Sequence, residues 1–226
     1  MSTDTHRPRW LTPRCVVCAI EPGTPLCAGC EVDFFPLLAL RCPRCAVRLQ
    51  SAATLCGHCI ARPPAFDATR ALADYVAPVS GMVGALKFAA RLDLADVFAR
   101  LLAAREPRPR EADLVIAVPL SHERESERGF NQSREIARRF ARLVDLPLRD
   151  GILLRTVHAA PQQSLARDAR QRNVRGAFAL AGDVRGQRVA VVDDVMTTGS
   201  TLEEVASVLK RAGAERVVNR VVARTP

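Results

Sequence analysis

Aromatic residues make up only 4% of this 226-residue chain, with a single Trp (Trp10) and a single Tyr (Tyr75). Gripping single-stranded bases by stacking takes several exposed rings, so stacking has little to work with here. Lysine is nearly absent as well: of 33 basic residues, only Lys87 and Lys210 are not arginine. No apolar run approaches the ~20 residues that span a bilayer. The longest near the N-terminus, Phe34 to Leu40, is broken by Pro36, and Met1 to Arg7 lack the apolar core of a secretion signal. A cytoplasmic protein without membrane insertion is expected. No glycine-rich loop ending in Gly-Lys and Ser or Thr occurs, so the chain is not itself an ATP-driven translocase.

Cysteine is confined rather than scarce: all eight lie within residues 15–59. They form four pairs with two residues between partners, Cys15/Cys18, Cys27/Cys30, Cys42/Cys45 and Cys56/Cys59. Such a pair is half of a tetrahedral zinc site, and a second pair closes it. Two structural Zn²⁺ sites are therefore expected. Sequential pairing gives the shorter loops and is preferred, with interleaved pairing as the alternative. Disulfides are disfavoured in a cytosolic chain, and no thioredoxin-like unit supports a redox pair. His58 lies inside the last pair and reads as a knuckle residue, since four cysteines already complete the site. Two filled sites would lower the formal charge of +9 by four, to about +5, leaving the positive excess mainly on the remainder of the chain.

Arg62-Pro63-Pro64 reads as a stiff linker, which divides the chain into a metal module at 1–63 and a larger domain at 64–226. Beyond the linker, short apolar strands alternate with amphipathic helices. Strands are predicted over 68–75, 113–118, 152–154, 187–193 and 216–223. Two helical stretches divided near Arg91-Leu92-Asp93 are predicted within 80–105. A further helix is predicted over 131–145, with Ile136, Phe140 and Leu143 on one face. Another over 200–212 has Leu202, Val205, Ala206 and Leu209 inward and is closed by Gly213. Thr156 to Asn173 is a long polar segment. This alternation implies an α/β fold, a mainly parallel sheet with helices on both faces.

The strand Arg188-Val189-Ala190-Val191-Val192 ends in Asp193-Asp194, and the turn Thr197-Thr198-Gly199-Ser200-Thr201 then opens a helix. Main-chain amides, hydroxyls and the positive end of the helix dipole suit a phosphate dianion there. Gly199 allows close backbone approach. Two adjacent carboxylates repel unless hydroxyls of a bound sugar and a magnesium ion offset them.

This segment resembles the phosphoribosyl-diphosphate signature of type I phosphoribosyltransferases. The resemblance extends over nearly the whole chain to the ComF family of competence-associated proteins, which carry an N-terminal double zinc ribbon. Its other carriers are Tyr75, Ala85-Leu86-Lys87-Phe88, Val118-Pro119-Leu120 and Arg128-Gly129-Phe130-Asn131-Gln132-Ser133. Further on come Arg155, Pro161-Gln162, Arg170, Asn173 and Gly176-Ala177-Phe178. The resemblance implies that Thr197 to Thr201 hold the 5-phosphate of 5-phosphoribosyl 1-diphosphate. Asp193 and Asp194 hold its ribose hydroxyls, with Mg²⁺ bound alongside. Arg124 and Arg128, in the loop after the 113–118 strand, face the diphosphate, and Lys87 reaches the same anion. Single-stranded DNA and other DNA-uptake proteins are the implied partners. The chain departs from the family pattern at Ala159, where a Thr is usual, so one hydroxyl is missing from the segment expected to close over the substrate. His158 beside it is read as an exposed loop residue rather than a proton donor.

Three functions compete: a ComF-type protein binding the sugar diphosphate in DNA uptake or single-strand handling, a metabolic transferase acting on a nucleobase or amine, and a non-catalytic ligand-sensing module.

Overall fold

The computed structural model describes residues 14–20, 22–37, 40–51, 54–107, 110–156 and 176–226. The expectations placed on Trp10, His158, Ala159, Pro161-Gln162, Arg170 and Asn173 lie outside these residues.

The N-terminal part is one small unit built twice. In each copy a residue just before the first cysteine pair bridges to a later residue, Arg14 to Pro22 and Arg41 to Arg48. The third cysteine then caps a short helix, α1 (Ala28–Phe34) after Cys27 and α2 (Gly57–Ala61) after Cys56. Both capping thiols accept from the amide three residues on, that of Cys30 at 3.5 Å and that of Cys59 at 3.4 Å. These helices are too short to stand alone; the cysteine sulfurs organise their first turns.

The larger part carries four parallel strands in the order β1 (Ala68–Asp74), β6 (Arg216–Arg224), β5 (Arg188–Met196), β2 (Leu114–Ala117). Both faces are covered, which is why β5 and β6 read as continuous apolar runs. Val218, Val222, Ala190 and Val192 face α3 (Val79–Phe88), α4 (Asp93–Ala104) and α6 (Gln132–Leu143). Val189, Val191, Val217 and Val221 face α7 (Ser200–Arg211) through Leu202, Val205 and Leu209. A separate antiparallel pair, β3 (Leu153–Arg155) with β4 (Phe178–Leu180), sets Arg155 opposite Phe178. The cysteine units pack onto both layers. Phe35 meets Phe98 of α4 edge-on at 6.5 Å, while Cys42, Cys45 and Cys59 join the α7-side core.

Three local readings change. β5 runs on through the acid pair to Met196 because β6 continues beside it as far as Arg224 and supplies its hydrogen-bond partners. The stretch expected as a loop after β2 contains a helix, α5 (His122–Arg128), capped by Ser121 and ended by Gly129 at φ 76°. Leu143 is exposed while Val144 is buried, because the inward stripe of α6 centres on Ala137, Phe140 and Val144 and leaves Leu143 at its edge.

Candidate functional site

The carboxyl ends of β2 and β5 and the starts of α6 and α7 converge, where open α/β sheets bind ligands. Asp193 and Asp194 are both buried there, not exposed. Asp193 Oδ1 accepts from Ser133 Oγ and from its neighbour's amide, Asp194 N, each at 2.9 Å. Asp194 Oδ1 accepts from Val195 N at 2.7 Å, and its Oδ2 lies 2.7 Å from Lys87 Nζ as an ion pair without hydrogen-bond alignment. Lys87, at the end of α3, thus neutralises one carboxylate. Burial, reinforced by the Asp194 charge, raises the Asp193 pKa to about 7 despite the Ser133 donor. A ligand supplying hydroxyl donors or a cation at this spot would return Asp193 to its charged form.

The turn after β5 is shaped by Gly199. Its φ of +87° suits glycine, and a Cβ there would fall 2.6 Å from Met196 Cε. Thr198 Oγ1 and Ser200 Oγ are hydrogen-bonded to each other at 2.6 Å, Thr198 Oγ1 also accepts from Ser200 N at 3.4 Å, and the N-cap residue, Gly199, has no side chain with which to cap α7. Thr197 is exposed, and Thr198, Ser200 and Thr201 are half-buried. Apart from the long Ser200 N contact, the amides of the first turn are therefore open to an anion.

Of the remaining cations, Arg155 is near enough to feel the charges of both Asp193 and Arg124. Arg124 is exposed on α5, and no carboxylate partner is found for it among the described residues. Arg128 stacks 5.1 Å over the ring of Phe88 and donates to Gln132 Oε1 at 3.1 Å. Arg155, which carries only a family resemblance in the sequence, lies 5.6 Å over Phe178 and has no hydrogen-bonded or ionic partner among the described residues. Burial, then the Arg124 charge, presses its pKa down against the pull of Asp193. It lines a cleft of about 250 Å³ with Pro119, Leu120, His122 and Asn131. Asn131 frames this cleft by capping α6 and donating to the Val118 carbonyl at 3.0 Å. The capping role is readable, since Asn at a helix start is a strong cap, but the reach back to β2 is not.

The eight cysteines gather as Cys15/Cys18/Cys27/Cys30 and Cys42/Cys45/Cys56/Cys59, the sequential pairing. Within each set the sulfurs lie within 4.8 Å of one another, and all eight thiols are free. Cys18 and Cys27 sulfurs are 3.8 Å apart, those of Cys45 and Cys56 3.6 Å. A tetrahedral ion at ~2.3 Å from each thiolate sets its sulfurs about 3.8 Å apart, so both sets fit zinc. Burial alone would raise Cys15 and Cys42, but main-chain amide donors bring them down to about 6 and about 7. Each set thus holds one thiol ready to ionise near neutral pH. No described helix is long and apolar enough to cross a membrane.

Sheet, acid pair and uncapped turn together define a phosphoribosyltransferase-type domain, and the phosphoribosyl transferase domain family matches residues 127–226. Relatives extend the match upstream over most of the chain. Competence protein F of Haemophilus influenzae is 34% identical over 203 residues, 85% of this chain and 87% of that protein. DNA utilization protein YhgH of Escherichia coli K12 is 35% identical over 190 residues, 81% of this chain and 84% of that protein. Competence protein ComFC of Streptococcus pneumoniae is 27% identical over 194 residues, 85% of this chain and 84% of that protein. Among solved structures, glutamine phosphoribosylpyrophosphate amidotransferase of B. subtilis is 25% identical over 56% of this chain and 25% of its own, with a TM-score of 0.40. The chain belongs to the ComF family of competence-associated proteins.

Proposed function

We propose that the protein binds 5-phosphoribosyl 1-diphosphate together with Mg²⁺ and serves DNA uptake or the handling of single-stranded DNA. The observation that carries the ligand is the buried Asp193/Asp194 pair beside the uncapped start of α7. The ribose hydroxyls would donate to the two carboxylates, and the 5-phosphate would take the amides and hydroxyls from Thr197 to Thr201. Arg124, Arg128 and Arg155 would face the diphosphate as guanidinium forks. Magnesium, bound mostly through ligand oxygens, would neutralise the charge of the departing diphosphate if the bond at the anomeric carbon breaks. Lys87 holds Asp194 in place, and Ser133 holds Asp193. The role in DNA rests on the relatives' names. We further propose a metal module at 1–63 holding two structural Zn²⁺ ions and a sugar-phosphate domain at 64–226. The free thiols favour a cytoplasmic location.

Calorimetry with the sugar diphosphate and Mg²⁺ tests the ligand. The Asp193→Ala/Asp194→Ala protein should bind about 2–4 kcal/mol more weakly, since two charge-assisted contacts are lost. Undiminished affinity in the double variant would overturn the assignment. Diphosphate release in the presence of a nucleobase or amine, without any oligonucleotide binding, would favour a metabolic transferase instead.

A further inference from the structure

The second cysteine site and the phosphate turn, far apart in sequence, share the core that holds Cys45, Cys59 and Met196, and one side chain adds a polar link between their backbones. Arg224 ends β6 alongside Met196, the last residue of β5. Its Nε donates to the carbonyl of Cys45 at 3.1 Å. Its Nη1 reaches the carbonyls of Met196 at 3.3 Å, Thr197, and Thr225 at 2.6 Å. No carboxylate pairs with it among the described residues. A half-buried guanidinium whose hydrogen-bond partners are all main-chain carbonyls fixes backbone positions, and the nearby sulfurs of Cys45, Cys56 and Cys59 favour its charge. On one side the backbone belongs to a metal ligand. On the other it is the entry to the phosphate turn.

Two further observations make the strut consequential. A cleft of about 400 Å³, lined by Cys56 and His58 of the knuckle and by Thr198, Gly199 and Ser200 of the turn, opens beside the core that Cys45 and Cys59 share with Met196, so the two polar rims face each other across open space. The Met196 side chain also lies directly against Gly199 and occupies the space that a Cβ there would need, so the end of β5 and the turn are packed together. The first cysteine site differs. Its packing partners are Val17, Leu26 and Phe34, and no described contact runs from it to residues 196–201.

We propose that Arg224 is a positioning residue that couples metal occupancy of the Cys42/Cys45/Cys56/Cys59 site to sugar-diphosphate binding at the turn. A filled site holds the Cys45 carbonyl, and through Arg224 the Met196–Thr197 carbonyls, in the arrangement that opens the first amides of α7 to phosphate. This rests on the proposed ligand. Coupling between two binding equilibria is reciprocal, so the sugar diphosphate must in turn hold the metal in the second site and not in the first.

The full-length zinc-loaded protein tests this by transfer of zinc to a colorimetric chelator, with Mg²⁺ alone or with Mg²⁺ and 5-phosphoribosyl 1-diphosphate. The sugar diphosphate should slow one of two release phases about five- to tenfold, within the usual range of coupling between sites. Cys15→Ser should remove the unprotected phase and leave the protected one. Arg224→Met, which keeps length but no donors, should abolish the protection. Calorimetric binding with both phases unchanged would overturn the coupling alone, and so would protection that survives in Arg224→Met. An absence of calorimetric binding would overturn the ligand reading and the coupling with it. The wild-type release rates decide even if Arg224→Met does not fold.

Discussion

Ser133 Oγ donates a 2.9 Å hydrogen bond to Asp193 Oδ1 and so ties the first turn of α6 to the end of β5, across 60 residues of sequence. Without that donor, the buried carboxylate would keep one amide and the charge of Lys87 against burial and the charge of Asp194.

The pH response follows from Asp193. Its pKa is raised from 3.8 to about 7, first by burial and then by Asp194. Folding therefore favours the acid form, a contribution complete below pH ~4 and lost as pH rises through ~7. Binding of ribose hydroxyls or Mg²⁺ has the opposite sign, because it needs the charged form. Affinity for the sugar diphosphate should fall about tenfold from pH 8 to pH 6, with proton release on binding. Calorimetry in buffers of different ionisation enthalpy measures both. Ser133→Ala should move the fall to higher pH; an unmoved profile would show that Ser133 does not tune Asp193.

Arg155 is expected to bind anion. Arg155→Ala should weaken sugar-diphosphate binding by about tenfold or more, the scale of one charge-assisted contact. Arg155→Lys should recover only part of this, since it keeps charge but loses the planar fork. Equal affinities for the three proteins, with unchanged thermal melting, would leave Arg155 a merely stacked residue on Phe178.

Elemental analysis should find two zinc ions per chain, and Cys15→Ser should retain one with the larger domain still folded. Zinc loss should begin as pH drops, because protons compete for the thiolates, with Cys42 at about 7 and Cys15 at about 6 before metal binds. Metal-free protein with intact disulfides after reducing purification would contradict this.

Single-stranded DNA binding through phosphates should weaken with salt at a slope of about −0.7 per phosphate neutralised. Arg138 and Arg142 on the outer face of α6 are suitable probes. Arg142 is exposed, whereas Arg138 shares Glu135 with Arg139 at 2.8 Å. Arg142→Ala should therefore cost more DNA affinity than Arg138→Ala, and neither should alter sugar-diphosphate binding. Filter binding of an oligonucleotide across a salt series distinguishes these effects.

The amino-acid sequence by itself determined the four parallel strands, the helices α3, α4, α6 and α7, the four cysteine pairs and the acid pair followed by its turn. Each is a local pattern: a period of apolar residues, a spacing of two between thiols, a strand end meeting a Gly-Ser helix start. The signals for α5 were also local, Ser121 before it and Gly129 after it. Only the tertiary structure decided which cysteine pairs close together, that Lys87 neutralises Asp194, that Ser133 supports Asp193, and that Arg224 reaches Cys45 across 179 residues. These depend on the strand order β1-β6-β5-β2, which brings distant carboxyl ends to one edge. A periodicity reports which face of an element is buried, but not which other element covers it.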